Sequence, residues 1–104
     1  MDGWDAMAGA AGMTVAETIR KKLGDALTPM RLEVIDESHL HAGHVGARPE
    51  GETHFRVEVV ADAFRGRSRI ERQRWIYDIL ADELAGPVHA LALTARTPED
   101  EAAL

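Results

Sequence analysis

Apolar residues recur every fourth position near the start of the chain, the spacing of one buried face of a helix. They are Val15, Ile19, Leu23 and Leu27. Thr14 and Glu17 have the spacing of a capping box, so we predict that the helix begins just after Thr14. Pro29 predicts that it ends shortly before that residue.

Two segments alternate between apolar and polar residues, which is the period of a strand with one buried face. The first runs from Arg31 to Glu37 and the second from His54 to Val60. A third segment, from Val88 to Thr94, is apolar on both faces. We therefore expect a third strand that is well buried.

Between the second and third strands, Ser68 and Glu71 form another capping box, which predicts a helix that runs to about Ala85. Its predicted inner face consists of Ile76, Ile79, Leu80 and Leu84. The order helix, strand, strand, helix, strand indicates an α+β fold, with helices on one face of a three-stranded mixed sheet. The helical crossover favours a parallel pairing of the last two strands, and the first two are expected to be antiparallel.

The chain has 104 residues, which suits a single domain. We predict a flexible N-terminal tail over residues 1–13, a folded domain over residues 14–99 and a C-terminal tail over residues 100–104. The polar sequence from Arg96 onward is expected to fray.

Charge and composition exclude several classes of function. Lys and Arg total 12 against 18 Asp and Glu, a formal net charge of −6, which disfavours wholesale binding to nucleic acid or anionic lipid but permits a local basic patch. The chain has no cysteine, so it cannot supply a disulfide, a thiolate nucleophile or a cysteine-ligated metal site alone. No apolar run approaches the ~20 residues of a membrane span, and the first residues resemble no targeting peptide. The predicted location is the cytoplasm.

The connection from Ser38 to Glu52 is 15 residues long, well above the usual length of a hairpin loop. It holds three of the five histidines, namely His39, His41 and His44. Imidazole is a common metal ligand, so the loop is a candidate metal site. A solvated loop with incidental histidines explains the same pattern equally well. A lone zinc or nickel site within the loop is a further alternative, although its spacing matches no strong motif.

His89 lies at the start of the third predicted strand. If the last two strands are parallel, His89 is at the same end of the sheet as the long loop, and a loop histidine and His89 can converge on one ion or cluster. Taken alone, a histidine there is more typical of a residue bonded to neighbouring backbone. Two imidazoles leave an iron–sulfur cluster short of ligands, so thiolates would have to come from a partner or a small thiol.

Four segments together resemble the BolA family: DESHLHAGH (36–44), GETHFRVEVV (51–60), FRGRSRIERQRWIY (64–77) and GPVHALAL (86–93). This resemblance implies a fold like the class II KH domain, with the order αββ(α)αβ. It also implies partnership with a monothiol glutaredoxin. The two proteins would share a 2Fe–2S cluster held by glutaredoxin cysteine, by glutathione supplied through the glutaredoxin, and by two ligands from the BolA protein. We expect the apo form to be a monomer.

Carried over by residue, the resemblance makes His89 one ligand and His41 the other, as in the subtype with histidine in the loop between the first two strands. The loop is longer than in many members, so His44 is an alternative ligand. His54 is interpreted as a structural residue or one that supports a ligand. Gln73 stands where family members commonly have a histidine.

Five arginines fall within ten residues of this acidic chain: Arg65, Arg67, Arg69, Arg72 and Arg74. They are candidates for contact with a partner protein, such as an acidic glutaredoxin surface, or with DNA, and a solvated helix face is the plain alternative. The GXXG loop by which KH domains grip nucleic acid is not found between the helices, where Phe64 to Ser68 stand instead.

We therefore predict an adaptor in iron–sulfur cluster trafficking or iron sensing, and as the alternative a DNA-binding transcriptional regulator. An enzyme is disfavoured because Ser68 has no paired base in the sequence and no phosphate-binding loop occurs. A hydrolytic metal site built on Asp36 and Glu37 is the remaining enzyme hypothesis, and it is disfavoured relative to the adaptor.

Overall fold

The computed structural model describes residues 13–38 and 53–104. Within these segments the elements follow the predicted α+β order. They are α1 (Val15–Leu27), β1 (Arg31–Asp36), β2 (His54–Val60), a 3-10 turn (Asp62–Phe64), α2 (Arg69–Ile79), α3 (Ala81–Ala85), β3 (Ala90–Arg96) and α4 (Pro98–Ala102).

The three strands form one mixed sheet in the order β1-β2-β3. β1 and β2 are antiparallel, with Val34 opposite Val57. β2 and β3 are parallel, with Val57 opposite Leu93. Both pairings confirm the prediction. The end of the sheet where β1 finishes and β2 and β3 start is called the His89 end below.

A single core lies between the helices and one face of the sheet. Both predicted capping boxes are present, and they fix the starts of α1 and α2 at Thr14 and Ser68. The apolar face of α1 and alternate residues of β2 belong to the same cluster of buried side chains, as the two periods predict. The largest buried residues of α1, of β2 and of the segments between β2 and β3 include Ile19, Leu23, Leu27, Phe55, Val57, Val59, Phe64, Ile76 and Leu80.

The helix predicted to reach Ala85 is divided in two. α2 ends at Ile79, and Leu80 adopts φ −100° and ψ 21°, outside helical geometry, before α3 begins. Ile76 and Leu80 are buried as predicted, whereas Ile79 and Leu84 are only partly buried. No proline or glycine precedes the break, so no local signal in the sequence marks it.

β3 differs from its prediction in place and in burial. It starts at Ala90 and ends at Arg96, two residues later than expected, and Ala90 and Ala92 are exposed. The expectation of a strand buried on both faces is wrong. The physical reason is that the core lies on one face of the sheet, so alternate side chains of β3 lie on the opposite face.

The segment after Arg96, which was expected to fray, forms α4. Thr97 caps this helix, and its hydroxyl and the Asp100 carboxylate make a third capping box. Glu99, Asp100 and Glu101 form ion pairs with arginines elsewhere in the fold. These pairs join polar residues that are distant in sequence. Among the helices of the two described segments, none has the length and apolar character needed to cross a membrane.

Candidate functional site

His89 is an exposed residue immediately before β3. Its backbone N–H donates to the carbonyl oxygen of Thr53 at 2.7 Å, and the N–H of Ala90 donates to the same oxygen at 3.2 Å. These bonds fasten the start of β3 beside the start of β2. The His89 imidazole is therefore presented from a fixed backbone at the edge of the sheet.

His54, the first residue of β2, lies next to His89. The centroids of the two rings are 6.2 Å apart and their planes are 19° from parallel. His54 Nδ1 lies 2.8 Å from Thr53 Oγ1, and its carbonyl oxygen accepts from the Glu37 N–H at 2.8 Å. His54 is thus held by its own hydrogen bonds next to the candidate ligand.

Two buried hydroxyl residues hold the ends of the long loop together, and we call them the Ser38–Thr53 latch. Ser38 Oγ accepts from the backbone N–H of Thr53 at 2.8 Å and from that of His54 at 3.1 Å. The hydroxyl oxygens of Ser38 and Thr53 are 3.3 Å apart. Ser38 is 3% exposed and Thr53 is fully buried. Residues 39–52 therefore leave and re-enter the fold at the His89 end, as the strand topology predicted.

The predicted loop ligands His41 and His44, and the neighbouring His39, lie outside the described residues. Of the predicted histidines, the structure brings together His54 and His89. Sequence reasoning missed Ser38 and Thr53. The signal that could have found them is their position, since two small hydroxyl residues directly flank a long polar loop.

The carboxylates near the loop have other partners. Asp36 Oδ1 accepts from the Ser38 N–H at 2.9 Å, and Glu37 pairs with Arg56 at 2.8 Å, an interaction that raises the pKa of that guanidinium. Among residues 13–38 and 53–104, no group of three or more His, Cys, Asp or Glu side chains is arranged to hold a metal ion. A metal at this end would therefore need ligands from the loop or from a partner.

The arginine stretch is not a uniform cationic surface. Arg65 pairs with Asp62 and Glu99, and the hydrogen bond to Glu99 raises the pKa of its guanidinium. Arg72 pairs with Asp100 at 2.8 Å and also donates to the carbonyl oxygen of Ala95 at 3.2 Å. Two of the five predicted contact residues thus already have carboxylate partners.

The other three arginines form no salt bridge within the part of the chain that the structure describes. Arg67 lies over the Trp75 ring, 4.2 Å from its centroid. Arg69 and Arg74 are exposed on α2. Arg69 also lines a groove of about 380 Å³ between α2 and β3, whose other lining residues are Arg72, Gln73, Leu93, Thr94, Ala95 and Arg96.

Comparison with known proteins places this geometry in a family. The family model described as BolA-like protein matches residues 23–100. SufE-like protein 1, chloroplastic/mitochondrial, of Arabidopsis thaliana is 49% identical over 79% of this chain. BolA-like protein 1 of Homo sapiens is 51% identical over 86% of it. The match covers 23% of the first relative and 62% of the second, so the chain spans less than two thirds of either.

The fold comparison agrees with the sequence comparison. The BolA domain of SufE1 from Arabidopsis thaliana superposes with a TM-score of 0.75 at 47% identity, covering 84% of this chain and 95% of that domain. DNA-binding transcriptional regulator BolA of Escherichia coli (strain K12) is 45% identical over 82% of this chain and 77% of its own length. The chain belongs to the BolA-like protein family.

Proposed function

We propose that this protein is an adaptor for iron–sulfur cluster trafficking or iron sensing. It would take a 2Fe–2S cluster as cargo, shared with a monothiol glutaredoxin, through His89 and a loop histidine, His41 or His44. Its role is to bind and hand on the cluster rather than to catalyse a reaction. We propose the cytoplasm as its location.

The observation that carries this proposal is the exposed His89 beside the Ser38–Thr53 latch. The latch joins Ser38 and Thr53, the described residues that flank residues 39–52, and the Thr53 carbonyl in turn holds the backbone of His89. His89 is exposed, so a ligand carried by a second protein can reach it.

The chemistry of the donor set fits a shared cluster better than a cluster held by this chain alone. The chain has five histidines and no cysteine, so it offers neutral imidazole nitrogen and no thiolate. Thiolates from the glutaredoxin and from glutathione would supply the rest. Replacing thiolate by histidine reduces the negative charge around such a cluster, which raises its reduction potential and makes its binding sensitive to protons.

Co-reconstitution tests the proposal. The protein is mixed with a monothiol glutaredoxin, glutathione, iron and sulfide, and visible absorption and circular dichroism are recorded. The wild type is compared with His89→Ala, His41→Ala and His44→Ala, and His39→Ala is the matched loop control. We expect a heterodimer spectrum distinct from that of glutaredoxin alone, lost in His89→Ala and in one of the two loop variants.

The loop variant that loses the spectrum identifies the second ligand, and His39→Ala should keep the wild-type spectrum. A spectrum that survives all three ligand substitutions, or a failure to form any heterodimer, would contradict the proposal.

A DNA-binding regulator is the second candidate, and its support is the 45% identity to the Escherichia coli protein named as such. Arg67, Arg69 and Arg74 form no salt bridge in the described segments and would make the phosphate contacts. Alanine at Arg67 and Arg74, which lie outside the groove next to β3, should weaken DNA binding at low salt while leaving the cluster spectrum of the heterodimer unchanged, so the two candidate functions can be separated.

A further inference from the structure

Among the described residues, β3 is an edge strand with little of the usual protection against pairing. Its sequence from Ala90 to Ala95 is ALALTA, with no charged residue, proline or glycine, and Ala90 and Ala92 are exposed. Natural edge strands are commonly protected by charge, by proline, by a bulge or by a covering element, because an open edge is a template for another strand. An edge of this kind is a candidate surface for pairing with a strand of another chain.

The direction of each backbone group along β3 follows from the ladder. The Ala90 N–H donates to Thr53 on the β2 side, and the Arg96 carbonyl accepts from Ala61 on the same side. The even-numbered residues therefore bond towards β2, and Leu91, Leu93 and Ala95 direct their N–H and C=O groups to the open edge. The Ala95 carbonyl has a partner there, the Arg72 guanidinium.

The open edge borders the cationic groove between α2 and β3. Arg69, Arg72 and Arg96 contribute to its lining. Arg72 and Arg96 are paired with Asp100 and Glu101, whereas Arg69 has no carboxylate partner in the described segments. Within the described segments, the groove therefore offers a guanidinium that forms no salt bridge, next to the outward-directed backbone groups of Leu93.

We propose that the partner protein docks by adding an extended acidic segment to the free edge of β3, with its backbone bonded to Leu91 and Leu93 and a carboxylate on Arg69. Strand addition of this kind obtains affinity from main-chain hydrogen bonds and specificity from the flanking side chains. His89 lies two residues before Leu91, about 7 Å along the strand. A segment on this edge thus leads directly to the candidate ligand.

Charge complementarity favours an acidic segment at this edge over a second copy of the chain or DNA. A second copy of the chain would bring its own unpaired Arg69 to the same edge, whereas a segment with Asp or Glu complements it. DNA would engage Arg74 as readily as Arg69, since both are exposed on α2, and it has no use for the strand edge. This inference rests on the proposed function for the identity of the partner.

Amide hydrogen exchange of the full chain, alone and bound to an apo monothiol glutaredoxin, tests the strand addition. In the free protein, the Leu91 and Leu93 amides should exchange quickly, whereas the Ala92 and Thr94 amides, bonded to β2, should exchange slowly. In the complex, we expect protection of Leu91 and Leu93 to rise at least tenfold, with little change at Ala92 and Thr94. Unchanged exchange at Leu91 and Leu93 in a formed complex would overturn the inference.

A matched pair of charge reversals on α2 tests the acidic contact. Arg69→Glu should weaken the apo complex about tenfold, and Arg74→Glu, on the same helix outside the groove, should weaken it less than twofold. Equal effects of the two changes would show a diffuse electrostatic attraction and contradict docking at the groove. Dimerisation of the protein alone, with protection of the same amides, would assign the edge to a second copy and also contradict it.

The two proposals fail in different ways. If His89→Ala loses the cluster spectrum but the β3 edge gains no protection in the complex, the adaptor function is supported and strand addition is contradicted. If the β3 edge is protected in the complex but no histidine substitution changes the cluster spectrum, the shared-cluster proposal is contradicted and the docking surface is supported.

Discussion

Thr53 is the residue on which the candidate site converges. Its carbonyl holds the backbone of His89, its hydroxyl lies against the His54 ring, and its N–H is bound by Ser38. Thr53→Val keeps the shape and removes only the hydroxyl, which leaves His54 Nδ1 without this partner. We expect a loss of about 1–3 kcal/mol in the free energy of unfolding. We also expect shifted ring resonances of His54 in NMR spectra.

Thr53→Ser is the control for that prediction, because it keeps the hydroxyl and removes a methyl group. Its stability should fall by about 1 kcal/mol for the lost burial, but the His54 ring signals should stay near their wild-type positions. Identical His54 signals in the valine and wild-type proteins would show that the hydroxyl does not orient this ring.

Asp100 makes stability depend on pH in the acid range. The N–H of Thr97 and then the Arg72 guanidinium stabilise its carboxylate and lower its pKa from 3.8 to about 2. A pKa lowered on folding stabilises the native state above the unfolded value, and this contribution is lost as the pH falls through the folded value. The stability advantage of the wild type over Asp100→Asn should therefore be full above about pH 4 and vanish towards pH 2. Urea unfolding at several pH values measures it, and a pH-independent difference would contradict it.

One face of helix α1 packs into the core, so a substitution on that face should reduce stability more than a substitution on the exposed face. Leu23 is fully buried in the core, and Leu23→Ala should cost about 2–5 kcal/mol through lost burial and a cavity. Lys21 lies on the outer face, 65% exposed, and its pairing with Asp25 is a surface contact. Lys21→Ala should change stability by less than about 1 kcal/mol. Chemical denaturation of both variants measures the contrast, which similar losses would refute.

The whole molecule carries a net charge of −6, so any affinity for DNA must come from the local arginine stretch. Each phosphate neutralised contributes about −0.9 to the slope of log Kobs against log salt concentration. Arg65 and Arg72 are in salt bridges, whereas Arg67, Arg69 and Arg74 form none in the described segments. We therefore expect a slope near −3 rather than the ~−4.5 of five contacts. Fluorescence anisotropy with a duplex oligonucleotide measures this slope. A slope of about −4.5 would mean that Arg65 and Arg72 leave their carboxylates on binding.

The sequence by itself determined the local elements and their order. The hydrophobic period and the capping boxes predicted α1 and the start of α2. The alternation of apolar and polar residues predicted β1 to within one residue and β2 at its observed bounds. These features could be predicted because they depend on residues that are neighbours in the chain. The helical crossover between β2 and β3 predicted that these two strands are parallel. The resemblance in the ETHF and VHAL segments indicated the family and pointed to His89.

Only the tertiary structure decided where distant residues meet. The break at Leu80, the exposed edge position of β3 and the order of α4 depend on packing and on ion pairs between remote segments, such as that between Arg72 and Asp100. The contact of His54 with His89 follows from the register of β2 beside β3. The Ser38–Thr53 latch follows from the register of β1 beside β2. Local patterns carry no record of such contacts, because the residues that meet are far apart in the chain: 35 positions separate His54 from His89, and 70 separate Arg31 from Glu101.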